Sequence, residues 1–253
     1  MQRGAALLAA AALADSATAM PASPPGALLL GQRGSPNEGV DERIARRLTQ
    51  LGFAVTRADQ DAAPQAAQGM ALVVISSTVA AKHVNAGWRH VPVPLLTWEN
   101  DCLDDLAMTG KRSGADYGEA PRERYLWLVN APHPLAAGLP AGVTNVYVKQ
   151  AGMSWGRPGL GASTIATLYG QPEKAAIFGY EKGATMDYES LAPARRVMFF
   201  LDNESFDNLS PAGLKLFDAA VAWAAQGNKG KGAQRGGGRA FSADRSAPGF
   251  RPA

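Results

Sequence analysis

The chain has 253 residues, 46% of them hydrophobic, with 25 Lys/Arg against 22 Asp/Glu and a formal charge of +3. That length suffices for one domain with a well-buried core. A single cysteine, Cys102, excludes an internal disulfide framework, and three histidines without metal-ligand spacing speak against a zinc site.

The first residues, "MQRGAALLAAAALADSATA", read as a secretory signal peptide over 1–19. Arg3 supplies a positive start, Gly4 to Ala14 a short apolar run, and Ala17-Thr18-Ala19 a small-residue cleavage site. The expectation is export, to a periplasmic or extracellular location. The run is too short to span a bilayer, and no later segment qualifies as a transmembrane helix. Residues 227–253 are Gly-rich and hold six Lys/Arg against one acid, so they read as a disordered basic tail. The tail accounts for the basic balance and could make weak contact with an anionic surface. The body, 20–226, is then slightly acidic, and specific nucleic-acid binding is not expected.

Within the body, "GALLLG" (26–31) is a buried first strand. "VDERIARRLTQLG" (40–52) places Val40, Ile44, Leu48 and Leu51 on one helical face, with Gly52 as the stop. "FAVTRAD" (53–59) alternates as a second strand. "MALVVISS" (70–77) and "VPLLTW" (93–98) are continuous apolar strands, the pattern of a sheet buried on both faces. The connection carrying His83 and His90 is expected to be helical and exposed. Further strands are read at 124–129, 143–149, 163–170, 174–183 and 195–202, with a turn at Gly170 to Pro172. The last helix opens with Ser210 as N-cap and Pro211 at its first position; Gly227 is its expected stop. Leu214, Phe217, Val221 and Ala224 share a face. The order of elements predicts an α/β fold, a mostly parallel sheet with helices on both faces.

Several segments together, "ALVVISSTV", "VPLLTWENDCLDDLAMTG", "HPLAAGLP", "FGYEKG" and "ARRVMFFLDNESFDNLSPAGLKLFDAAVAWAA", resemble the trehalose-utilisation (ThuA-like) domains and the related class I glutamine amidotransferase-like family. The resemblance covers residues 26–226 and implies a flavodoxin-like three-layer sandwich. It also implies a carbohydrate or cell-envelope context. The matching motifs carry fold rather than catalysis, and fold does not fix function.

In active members of that family a cysteine sits on a sharp turn after the fourth strand, flanked by small residues. Laying the pattern on Pro94 to Glu99 puts Glu99 at the nucleophile position, between Trp98 and Asn100. Cys102 falls three residues late, among Asp101, Asp104 and Asp105, which disfavour a thiolate. The late His-Pro-Glu of the family becomes Gly179-Tyr180-Glu181, so the acid survives and the base does not. The expectation is an amidotransferase-like site without its catalyst, in a protein that binds or scaffolds.

The runner-up is a carbohydrate-active hydrolase. Its candidate acids and bases are Glu99, Glu181 and Glu204, with Asp101 as a further partner. Asp101 and Asp202 follow strands whose carboxyl ends form the usual ligand edge of such sheets. Further ligand-binding candidates are Ser76, Ser77, Trp98, Asn100 and His133; none of the serines sits in a Gly-x-Ser-x-Gly elbow. The loop "GQRGSPNEG" lacks a dinucleotide or phosphate-loop motif, and neither a cofactor nor a metal is implied.

Overall fold

In the computed structural model the described residues are 23–226. The expected signal segment and the basic tail lie outside them.

The continuous apolar runs become central strands because both of their faces are covered. In β1 (Gly26–Gly31) Ala27 and Leu29 join the core on one side of the sheet, while Leu28 and Leu30 join the core on the other. In β3 (Leu72–Ile75) Leu72 and Val74 divide from Val73 and Ile75 in the same way. Side chains alternate across a strand, so a strand buried on both faces must be apolar throughout. With β2 (Ala54–Asp59), β4 (Leu95–Thr97) and β11 (Arg196–Met198) these strands form a parallel array in the order β2-β1-β3-β4-β11. Their carboxyl ends therefore share one edge.

The other half of the sheet runs antiparallel. β10 (Gln171–Tyr180) pairs with β11 in the opposite direction, followed by β9 (Ser163–Leu168), β6 (Tyr125–Leu128) and β7 (Gly142–Asn145). The hairpin between β9 and β10 turns at Gly170, whose φ of +76° suits glycine. The sheet is thus mixed. Two strands not legible in the sequence, β5 (Tyr117–Glu123) and β8 (Ala151–Gly156), form an antiparallel ribbon joined to the sheet through β10.

Two α-helices pack on one face. α1 (Glu38–Gln50) buries Val40, Ile44 and Leu48, as its spacing predicts, and Gly52 follows with φ +94°. α2 (Pro211–Gln226) is capped by Ser210, whose hydroxyl accepts from Gly213 N at 3.1 Å and donates to Asn145 O at 2.7 Å. Its core face runs through Leu216, Phe217, Ala220, Val221 and Ala224; Leu214 is only half-buried. Each of the large side chains contributes about 1.5–3 kcal/mol through burial. Arg47 and Asp218 tie the two helices together through a bidentate ion pair.

The opposite face is covered by short 3-10 turns at Pro64–Ala67, Ala81–His83 and Ala86–His90, and by the chain after β4. The expected helix around His83 and His90 is broken because the Asn85 side chain accepts from Gly87 N at 2.7 Å, folding the backbone into a tight turn.

Candidate functional site

The parallel edge of the sheet holds a cleft of about 430 Å³. Its floor is built from residues in the segments that leave the strands: Ser77 after β3, Glu99 to Asp101 after β4, and Asp202 and Asn203 after β11. The β5–β8 ribbon closes one side and contributes Glu119 and Ser154, which face each other in register. The ribbon is anchored by Ser154 N donating to Phe200 O at 3.1 Å and by the buried Tyr147 hydroxyl donating to Gly152 O at 3.1 Å. Lys82 is the one basic residue of the lining.

Glu99 is the deepest of the acids, at 6% exposure. Its amide donates to Thr97 Oγ1 at 3.1 Å and its Oε1 accepts from Asp101 N at 3.0 Å, which caps the 3-10 turn Asn100–Cys102. Burial pushes its carboxyl up to about 8; the Asp101 amide opposes this, while Asp101, Asp202 and Glu119 reinforce it by repulsion. Glu119 is also raised, by desolvation and then by Asp202 and Asp101. Asp202 accepts from Asn203 N through its Oδ1. None of Glu99, Asp101, Glu119 and Asp202 takes part in the ion pairs found among the described residues. Two polar atoms of the lining, Ser77 Oγ and Asn203 Oδ1, are buried without a hydrogen-bond partner.

Neither Glu99 nor Cys102 has the setting of an activated nucleophile. Glu99 has φ −79° and ψ 102°, ordinary extended backbone rather than a strained elbow. The Cys102 side chain is 1% exposed and packs in the core of the opposite face with Leu103 and Leu106. Burial, and then Glu99 and the neighbouring aspartates, push its thiol upward, away from the thiolate. Among the described residues no group of three or more His, Cys, Asp or Glu is arranged to hold a metal ion.

Of the residues singled out in the sequence, Ser77, Glu99, Asn100, Asp101 and Asp202 meet in the cleft. Ser76 lies beneath it, 1% exposed, where its hydroxyl accepts from Thr78 N at 3.4 Å beside the buried Asp41. Trp98 is 1% exposed and packs edge-on against Phe217 at 6.1 Å, on the helix side of the sheet. Glu204 is exposed and does not line the cleft. Glu181 follows β10, and because β10 is antiparallel to β11 it stands at the opposite edge of the sheet. There it forms a bidentate pair with Arg195, at 2.7 and 3.0 Å. His133 belongs to that edge too. Its Nδ1 accepts from Leu135 N at 3.2 Å, its ring lies 5.4 Å from Trp223, and burial lowers its pKa. Glu119 and Ser154 were not legible as site residues.

With this geometry the comparisons with known proteins are consistent. A protein described as ThuA-like from Bacteroides uniformis superposes with a TM-score of 0.52 at 11% identity, over 82% of this chain and 94% of its own. Another described as ThuA-like, from Parabacteroides merdae, gives 0.50 at 14% identity, over 81% and 91%. A protein from Thermoplasma acidophilum, described as part of a GMP synthase, gives 0.49 at 12% identity, over 80% and 95%. The fold is a mixed parallel and antiparallel α/β sheet flanked by helices, an architecture shared with the two ThuA-like structures. No protein-family model and no curated protein matches the sequence. The likeness to ThuA-like proteins is one of architecture, at low identity and broad coverage. No helix among the described residues is long and apolar enough to cross a membrane.

Proposed function

We propose that this protein is a non-catalytic amidotransferase-like domain that binds a polyhydroxylated ligand, a carbohydrate of the cell envelope or its surroundings, in the cleft above β3, β4 and β11. One observation carries the reading. Glu99, which the sequence resemblance lays on the nucleophile position, stands on unstrained backbone amid carboxylates, serines and asparagines that can accept and donate hydrogen bonds to hydroxyls. The signal-like start of the chain supports export of such a binder.

The test is calorimetry of the full chain against a panel of neutral and charged saccharides, with Glu99→Gln and Asp202→Asn alongside. Saturable binding that both variants weaken, without consumption of the saccharide, is expected. Absence of binding to every saccharide would overturn the reading.

A second reading rests on the Glu99 carboxyl being raised to about 8. A carboxyl that keeps its proton at neutral pH can act as a general acid toward a glycosidic oxygen. Turnover of a bound oligosaccharide, lost in Glu99→Gln with binding retained, would decide for this hydrolase.

A further inference from the structure

Resting on the binding reading above, the geometry points to an amino sugar with a free amine as the ligand class, its ammonium held between Asp202 and Glu119 and its hydroxyls on the Ser77 side of the cleft. The charge of the lining is one-sided: four acids, of which the buried Glu99 keeps its proton at neutral pH, stand against Lys82, whose side chain is exposed. These acids are unpaired among the described ion pairs, so their mutual repulsion is unrelieved within the described structure.

Asp202 and Glu119 approach one point. A Cβ on Gly152 would lie 2.3 Å from Asp202 Oδ2 and 2.5 Å from Glu119 Oε1. Two carboxylate oxygens crowded over a bare α-carbon form a receptor for a group with several N–H donors and a positive charge. The independent observation lies deeper. Ser77 is 8% exposed, lines the cleft, and has its hydroxyl buried without a partner. Leaving such a group unsatisfied is destabilising. A hydroxyl of the ligand, which both donates and accepts, satisfies it.

The volume, about 430 Å³, lies at the small-molecule end of binding cavities and suits one or two sugar rings. A bare divalent cation is disfavoured because no three of these side chains are arranged as a metal-holding group. The combination of one cation and several hydroxyls is the chemistry of a de-N-acetylated sugar.

The experiment compares glucosamine, N-acetylglucosamine and glucose by calorimetry on the full chain near pH 6, where an amine of this kind is cationic. Propylamine serves as the probe for charge without hydroxyls. Glucosamine should bind about tenfold more tightly than its acetylated form, the size of one charge-assisted hydrogen bond. That preference should vanish in Glu119→Gln/Asp202→Asn. If circular dichroism shows the double variant unfolded, Glu119→Gln alone, altered at an exposed side chain, should reduce the preference. Equal affinity for N-acetylglucosamine or glucose overturns the amine assignment and leaves the carbohydrate reading standing. Propylamine binding as tightly as glucosamine overturns the role of the hydroxyls, and with it the amino sugar. A preference that persists in the variants overturns the placement of the ammonium. If none of the three sugars binds, the amino-sugar inference falls, and the wider saccharide panel decides the carbohydrate reading.

Discussion

Asp202, from the loop after β11, and Glu119, from the β5–β8 ribbon, meet over the α-carbon of Gly152. The absence of a side chain there lets two carboxylates share one place at the mouth of the cleft. Gly152→Ala would set a methyl group within 2.3 Å of one and 2.5 Å of the other. The side chains must then turn away. The expected result is a loss of about 1–3 kcal/mol in urea unfolding, the usual range for overpacking. Ligand affinity should fall by more than the fold is weakened. A variant with wild-type affinity would show that the paired carboxylates do not form the receptor.

Glu99 makes stability depend on pH. Its carboxyl is raised from 4.5 to about 8 in the folded chain. Between these values the folded state holds a proton that the unfolded state has released. Stability is therefore fully present below the unfolded value, falls as pH rises through this window, and levels off above about 8. Glu99→Gln keeps an acceptor for the Asp101 amide and removes the titration. The variant should lose this downward slope and be more stable than the parent near pH 8.5, on the order of a few kcal/mol. Thermal melts at a series of pH values check this. Parallel pH profiles for parent and variant would contradict it.

The parallel half of the fold was legible because its strands are buried on both faces and write themselves as uninterrupted apolar runs. Ser77, Glu99, Asn100, Asp101 and Asp202 follow such runs, so the edge they occupy could be inferred from chain order. Glu181 illustrates the limit. Its strand was visible, but strand direction depends on pairing with β11, which is not local information, and direction decides the edge. β5 was hidden because its burial does not alternate and it contains Pro121, so Glu119 carried no signal. Trp98 and Glu99 are adjacent in extended backbone and so project to opposite sides: one enters the core under α2, the other the cleft.

Cys102 should be inert in the native state. Its sulfur is buried and its pKa is displaced upward by desolvation. A chromogenic disulfide reagent should modify it only as fast as the chain unfolds, with rapid labelling in guanidinium. Cys102→Ala should cost about 1 kcal/mol of packing and leave ligand affinity unchanged. Rapid native labelling, or loss of affinity in the alanine variant, would return the thiol to the site.

Arg196 holds the fold from within. It is 0% exposed in the strand beside β4, and the described ion pairs do not include it. Instead its two terminal nitrogens donate to carbonyls, while Nε is buried without a hydrogen-bond partner. Nη1 donates to Val93 O at 2.9 Å, and Nη2 to Val91 O at 2.6 Å and Arg89 O at 3.3 Å, with further bonds to Ala194 O and Arg195 O. It therefore ties the connection before β4 to the start of β11. Burial lowers its pKa to about 10, so it remains charged at neutral pH. Arg196→Met preserves length and apolar bulk but leaves several buried carbonyls without donors. The expected loss is on the order of 3 kcal/mol. Arg196→Lys keeps the charge, yet a single ammonium cannot span both groups of carbonyls and should recover only part of the loss. Urea unfolding followed by circular dichroism measures all three chains. A methionine variant within experimental error of the parent would mean that these carbonyls find other donors and that the buried cation does not hold β11 in place.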